Sequence, residues 1–229
     1  MDFQAPREVR DSLKAIGDHG IFGYSEGKEA YFLAIQKWMN THFAWSVDRN
    51  WLVKTPGVVY AIACAIKGLT KPGEAVLIQQ PVYYPFSEII LNNDRKLINS
   101  PLVNSDGKYY MDEEDFERKI VKHDVKLFVL CNPHNPVGRV WTKEELICIG
   151  DICFKHGVYI VSDEIHADFI YEGHKHLVFA DLKKEYADIT ITCTSPSKTF
   201  NLAGLQVSNI FISNSKLRRI IKKEIAKTG

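Results

Sequence analysis

Three stretches of the chain set a reactive side chain directly behind an apolar run. Asn135 lies in Asn132-Pro133-His134-Asn135-Pro136-Val137-Gly138, after Leu127-Phe128-Val129-Leu130. Asp163 opens Asp163-Glu164-Ile165-His166, after the run Val158–Ser162. Lys198 stands in Ser195-Pro196-Ser197-Lys198-Thr199-Phe200-Asn201, after Ile189–Thr194. Taken singly, each has an ordinary reading: a turn residue for Asn135, an N-cap or turn aspartate for Asp163, a surface loop lysine for Lys198. Together they offer an amide, a carboxylate and an amine. A fourth stretch, Thr55-Pro56-Gly57 before Val58 and Val59, presents backbone N–H groups at a helix start, which is an anion site. Schiff-base formation needs an amine, a protonated pyridine nitrogen needs a carboxylate, and a phosphate needs an anchor. These are the requirements of pyridoxal 5'-phosphate, the cofactor this set of groups points to.

Elements able to hold those groups alternate along the chain. The apolar, β-branched runs Ala75–Gln79, Lys126–Cys131, Val158–Ser162, Ile189–Thr194 and Val207–Ile212 predict strands. Between and around them, helices are predicted over Lys28–Phe43, Val58–Lys67, Tyr84–Asn92, Glu113–Val121, Lys143–His156 and Ser215–Lys227. Asp112 is the expected N-cap of one. Thr142 with Glu145 forms the capping box of another, and Gly157 its stop. The strands read as continuous apolar runs, as in a parallel sheet buried on both faces. The expected fold is therefore α/β, a three-layer sandwich with a mostly parallel central sheet. In such a sheet, ligands bind beyond the carboxyl ends of the strands, where all three reactive stretches fall.

The order NPHNPVG, SDEIHADF and SPSKTFNLAGL resembles the fold-type I pyridoxal phosphate enzymes, the aspartate aminotransferase superfamily of classes I and II. SDEIHADF followed by SKTFNLAGL is most similar to its cystathionine β-lyase-like branch, the C–S lyases of the MalY/PatB type. The resemblance implies that Lys198 is the Schiff-base lysine and that Asp163 pairs with the pyridinium nitrogen. It implies that Asn135 bonds the cofactor 3′-oxygen, with His166 nearby, and that Tyr83 stacks on the ring. Tyr84 either approaches the substrate or packs. Gly57, Val58 and Val59 correspond to the phosphate cradle, flanked by Ser195 and Ser197. Tyr24 corresponds to a tyrosine reaching the phosphate in a partner subunit, which implies a homodimer. Gln206 stands where many transaminases of the superfamily carry an arginine, eight residues after the lysine, and this departure favours the lyase branch. The implied activity is β-elimination of a thiol from a sulfur amino acid. An aminotransferase on the same scaffold and a catalytically incomplete cofactor-binding fragment remain as alternatives.

The chain has 229 residues with 29 basic and 28 acidic side chains, a balance that argues against a nucleic-acid protein. The five cysteines are odd in number and form no CxxC, so a disulfide framework is not expected and a cytoplasmic location is. No apolar run approaches the length of a membrane span, and no signal peptide is visible. The six bases of the Ser215–Lys227 helix read as a solvated face rather than a nucleic-acid or membrane patch. His174 and His176 sit in a polar segment without a third ligand and read as surface histidines, so no metal is expected. A nucleotide-binding Rossmann protein is a poor fit, because no G-x-G-x-x-G follows a strand. The expected organisation is an amino-terminal arm and helix over 1–44, a cofactor-binding large domain over 45–214, and over 215–229 the start of a helix leading to a small domain. In the resembled family that domain supplies the arginine for the substrate carboxylate.

Overall fold

The computed structural model describes residues 3–24 and 26–228. Nine strands are described: β1 (Leu52–Thr55), β2 (Ala75–Ile78), β3 (Lys96–Asn99), β4 (Val103–Ser105), β5 (Lys108–Tyr110), β6 (Leu127–Cys131), β7 (Tyr159–Asp163), β8 (Thr190–Thr194) and β9 (Ser208–Phe211). The helices are α1 (Arg7–His19), α2 (Glu29–Phe43), α3 (Val58–Leu69), α4 (Pro85–Leu91), α5 (Glu113–His123), α6 (Lys143–Lys155), α7 (Lys184–Ile189), α8 (Pro196–Thr199) and α9 (Ser215–Ala226). Seven strands form one sheet in the order β1-β9-β8-β7-β6-β2-β3, while β4 and β5 make a separate hairpin. From β3 through β2, β6 and β7 to β8 the pairing is parallel. Only β9 runs against its neighbours β8 and β1 in this sheet, among the described residues.

Alternation along the strands divides the core. Leu127, Val129 and Cys131 face the α3, α4 and α9 layer, whereas Phe128 and Leu130 face α5, α6 and α7. Both faces are apolar because helices cover both, which is the three-layer sandwich expected. The capping box at Thr142 and Glu145, the Asp112 cap and the left-handed Gly157 are all present. Two close approaches hold the layers together. A Cβ on Gly150 of α6 would lie 2.5 Å from the Tyr186 ring of α7, and one on Gly68 of α3 would lie 2.9 Å from Ile220 of α9.

The structure adds elements the apolar pattern did not predict. β1 and β3 are four residues long and carry exposed lysines, so neither forms a continuous apolar run. α1 buries none of its thirteen residues, so no core packing marks it as an element. α2 instead packs through Phe32 and Met39 into a third cluster with Trp45, Val178 and Phe211.

Candidate cofactor and active site

One rung of the sheet sets the site. Cys131 of β6 pairs with Asp163 of β7, and Asp163 pairs with Cys193 of β8. All three end their strands within a residue of the same level. The loops that follow are pinned to that level by backbone bonds, Asn132 N–H to Asp163 O and Glu164 N–H to Cys193 O, each 2.9 Å. Asn135, Asp163 and Lys198 are therefore delivered to one edge, the carboxyl edge of the parallel strands. Asp163 is the last residue of β7 rather than the first of a loop. Because Val161 two residues earlier packs toward α3, the Asp163 side chain takes that face as well.

Asp163 is 6% exposed and makes no ion pair among the described residues. Its Oδ1 accepts the Ile165 N–H at 3.1 Å. Burial pushes its carboxyl up to about 7, against the Ile165 amide and Lys198, with Glu164 adding to the rise. A buried carboxylate lacking a counter-charge is costly unless a cation arrives to pair with it. That is the service a protonated ring nitrogen would perform.

Lys198 lies in the short helix α8 rather than in an open loop. Together with His166, Phe169 and Asn201 it lines an open cleft of about 510 Å³. Burial, and then Lys198, lowers the pKa of His166, which places the two groups in one electrostatic neighbourhood. Burial first, then Tyr84 and Asp163, raises that of Tyr83. Tyr83 and the more exposed Tyr84 stand with ring centres 5.7 Å apart at the start of α4. Ser195 caps α8: its Oγ accepts the Ser197 N–H at 3.0 Å and donates to Val207 O at 2.7 Å. Ser197, next to Lys198 in the chain, is buried.

The anion site forms at the start of α3. Gly57 is its N-cap and makes no side-chain cap, so the first amides, those of Val58 and Val59, have no acceptor within the helix. A Cβ on Gly57 would meet no protein atom within 4 Å, so the space beside it is open. Thr55 anchors the turn: its Oγ1 donates to Gly57 O and pairs with Ser208 Oγ at 2.7 Å. β1 runs parallel to β8, on the far side of β9, so this turn lies at the same sheet edge as Lys198. An uncapped helix start, a buried unpaired carboxylate and an amine on one edge fit pyridoxal phosphate. Tyr24 is not brought to this edge within the chain and is fully exposed. Gln206 is exposed too, in a left-handed conformation after the Ala203–Leu205 turn.

Several supporting residues were not singled out from the sequence. His134 is buried, and its Nε2 lies 2.9 Å from Pro81 O, tying the Asn135 loop to the Tyr83 loop. Arg139 clamps both oxygens of Glu145 at 2.7 Å and stacks on Trp141, whose indole N–H donates to Cys131 O. The capping-box glutamate six residues beyond the arginine was a visible signal for that clamp. The reading of His176 as a surface histidine is overturned: it is buried and bonded to Glu164 at 2.8 Å. Its neighbours Glu172 to Lys175 are exposed, and these polar residues concealed it; His174 is exposed as expected.

A family model described as aminotransferase class I and II matches residues 3–227. Cystathionine β-lyase PatB of Bacillus subtilis is 44% identical over the whole chain, which spans 59% of PatB. Cystalysin of Treponema denticola, solved with pyridoxal 5'-phosphate, superposes with a TM-score of 0.96 at 42% identity, covering 100% of this chain and 58% of that one. The pyridoxal phosphate-bound C–S lyase of Staphylococcus hominis gives 0.92 at 34% identity, covering 97% and 56%. The chain thus spans somewhat more than half the length of the relatives it matches. No helix described is long and apolar enough to cross a membrane.

Proposed function

The chain belongs to the aminotransferase class I and II family, and from that premise we propose that it is the cofactor-binding part of a pyridoxal 5'-phosphate-dependent carbon–sulfur β-lyase. The observation that carries this reading is the shared rung at Cys131, Asp163 and Cys193, which sends an amide, a carboxylate and an amine to one edge. The similarity to PatB and cystalysin supports the lyase branch.

When bound, the cofactor supplies the electron sink for a carbanion at the substrate Cα. Lys198 would hold it through its Nζ, and that amine, when free, would serve as the general base for the Cα proton. Asp163 would pair with the ring nitrogen and keep it protonated. Tyr83 would cover the ring, Asn135 and His166 would serve its 3′-oxygen, and the Gly57–Val59 amides with Ser195 and Ser197 would hold the phosphate. The Cβ–S bond breaks with its electrons on sulfur, which leaves as a thiol after protonation. The remaining enamine takes up water and releases pyruvate and ammonia. Tyr84, at 69% exposure, is free to meet the substrate. Tyr24, exposed on the arm, is read as reaching the phosphate of a partner subunit in a homodimer. Cytoplasmic residence agrees with five free cysteines.

Lys198→Ala tests the assignment: the absorbance band of the lysine-bound cofactor is expected to vanish, and its persistence would sink the reading. Incubation with cystathionine tests the reaction class. Pyruvate released without a keto-acid acceptor is expected from a lyase. Turnover only with an acceptor would support the aminotransferase, and binding without turnover would support a catalytically incomplete cofactor-binding fragment.

A further inference from the structure

Directly behind Asp163 lies a buried polar pair that no step above uses. Glu164 and His176 have side chains each 1% exposed, with Oε2 and Nε2 2.8 Å apart. Oε1 of Glu164 accepts two further hydrogen bonds, from Ser162 Oγ at 2.8 Å and from the Phe179 N–H at 3.1 Å. The three donors come from three places: β7 itself, the polar segment after Tyr171, and the turn Phe179–Asp181. The backbone of Glu164 is also tied on both sides, its N–H to Cys193 O and its carbonyl to the Ala167 N–H at 3.0 Å. The His176 ring meets the edge of Phe43 at 5.5 Å, and its Nδ1 has no partner among the described residues. Burying such a pair is a poor source of stability, because desolvation offsets the attraction. What it supplies is direction. One side chain joins the end of β7 to a segment twelve residues further on, and Glu164 does not line the cleft that holds Lys198 and His166.

We infer that Glu164, held by His176, is a positioning residue that fixes the Asp163–His166 turn and so sets how firmly the cofactor is held. The consequence for the cofactor rests on the functional reading above; the effect on the turn does not. The turn has its own reporters, the Ile165 N–H bonded to Asp163 Oδ1 and the Ala167 N–H bonded to Glu164 O.

Amide exchange of the cofactor-free chain reads those two reporters. Glu164→Ala is expected to lower their protection about tenfold or more, while Glu164→Gln, which keeps an acceptor for Ser162 and Phe179, retains most of it. Tyr186→Phe is the control for general destabilisation, since it loses bonds to Asp151 and Ile147 of α6 while keeping the ring stacked on Phe179. If Glu164→Ala does not fold, His176→Leu reads the same connection. Cofactor titration should show Kd raised about tenfold in Glu164→Ala and largely recovered in Glu164→Gln. Unchanged protection at Ile165 and Ala167, or a loss spread evenly over the sheet as in Tyr186→Phe, would overturn the inference. If the unaltered chain takes up no cofactor, the functional reading fails, and the exchange result still decides the positioning role.

Discussion

From Leu127 to Cys131 and from Ile160 to Glu164 every residue is buried, whereas α1 buries none of its thirteen. Leu13, Ile16, Ile21 and Phe22 are all exposed, as apolar as many core residues but with little to pack against in the single chain. The sheet edge thus carries polar groups in a place that disfavours them, and the arm carries apolar groups in a place that does not use them. Each region is unfavourable alone, and the proposed function gives each a partner: a cationic ring at Asp163 and a second subunit at the arm. Surplus cost in a folded chain is where binding is to be sought.

The largest expected effect tests the polar side of that contrast. The folded chain holds the Asp163 proton up to about pH 7, well above the ordinary carboxylate value of 3.8. The unfolded chain therefore releases its proton first as pH rises, and the cofactor-free protein loses stability between about pH 4 and pH 7. Asp163→Asn removes the burden. It should raise the unfolding free energy of the cofactor-free chain by about 4 kcal/mol at pH 8, and by close to nothing at pH 4. Urea denaturation at the two pH values measures it; a loss of stability at pH 8 would break the comparison. A smaller effect is expected within the apolar body. Gly150→Ala drives a methyl into the Tyr186 ring and should cost about 2 kcal/mol, read as a lowered urea midpoint. The smallest effect belongs to the arm. Leu13→Ser with Ile16→Ser should change monomer stability by no more than about 0.5 kcal/mol. The same pair should lower the dimer fraction in sedimentation velocity, if the arm is covered by a second subunit as proposed.

The fold was legible wherever burial left a continuous apolar trace. The strands β2, β6, β7, β8 and β9 and the helices α2, α3, α4, α5, α6 and α9 fall within a residue or two of their predicted bounds. β1 and β3 were not, since each has only four residues and one of them is an exposed lysine. Lys198, Asp163 and Asn135 stood out because each follows an apolar run closely, which is also why the sheet delivers them together. The Glu164–His176 bond left no such trace: its partners are twelve residues apart, and the second lies among exposed polar neighbours. Local pattern reports on a residue's neighbours in the chain, and this contact depends on neighbours in space.

The common rung of β6, β7 and β8 also decides which changes of chain length the molecule can absorb. Side chains alternate between the two faces of a strand, so one residue inserted into β7 ahead of Asp163 would carry the carboxylate to the α5–α6 side and bring Ser162 or the inserted residue into its place. A residue added to the Asp106-Gly107 turn between β4 and β5 leaves that alignment untouched. Insertions, more than substitutions, are what this site is least equipped to survive, and scanning single-residue insertions across the sheet should trace its outline.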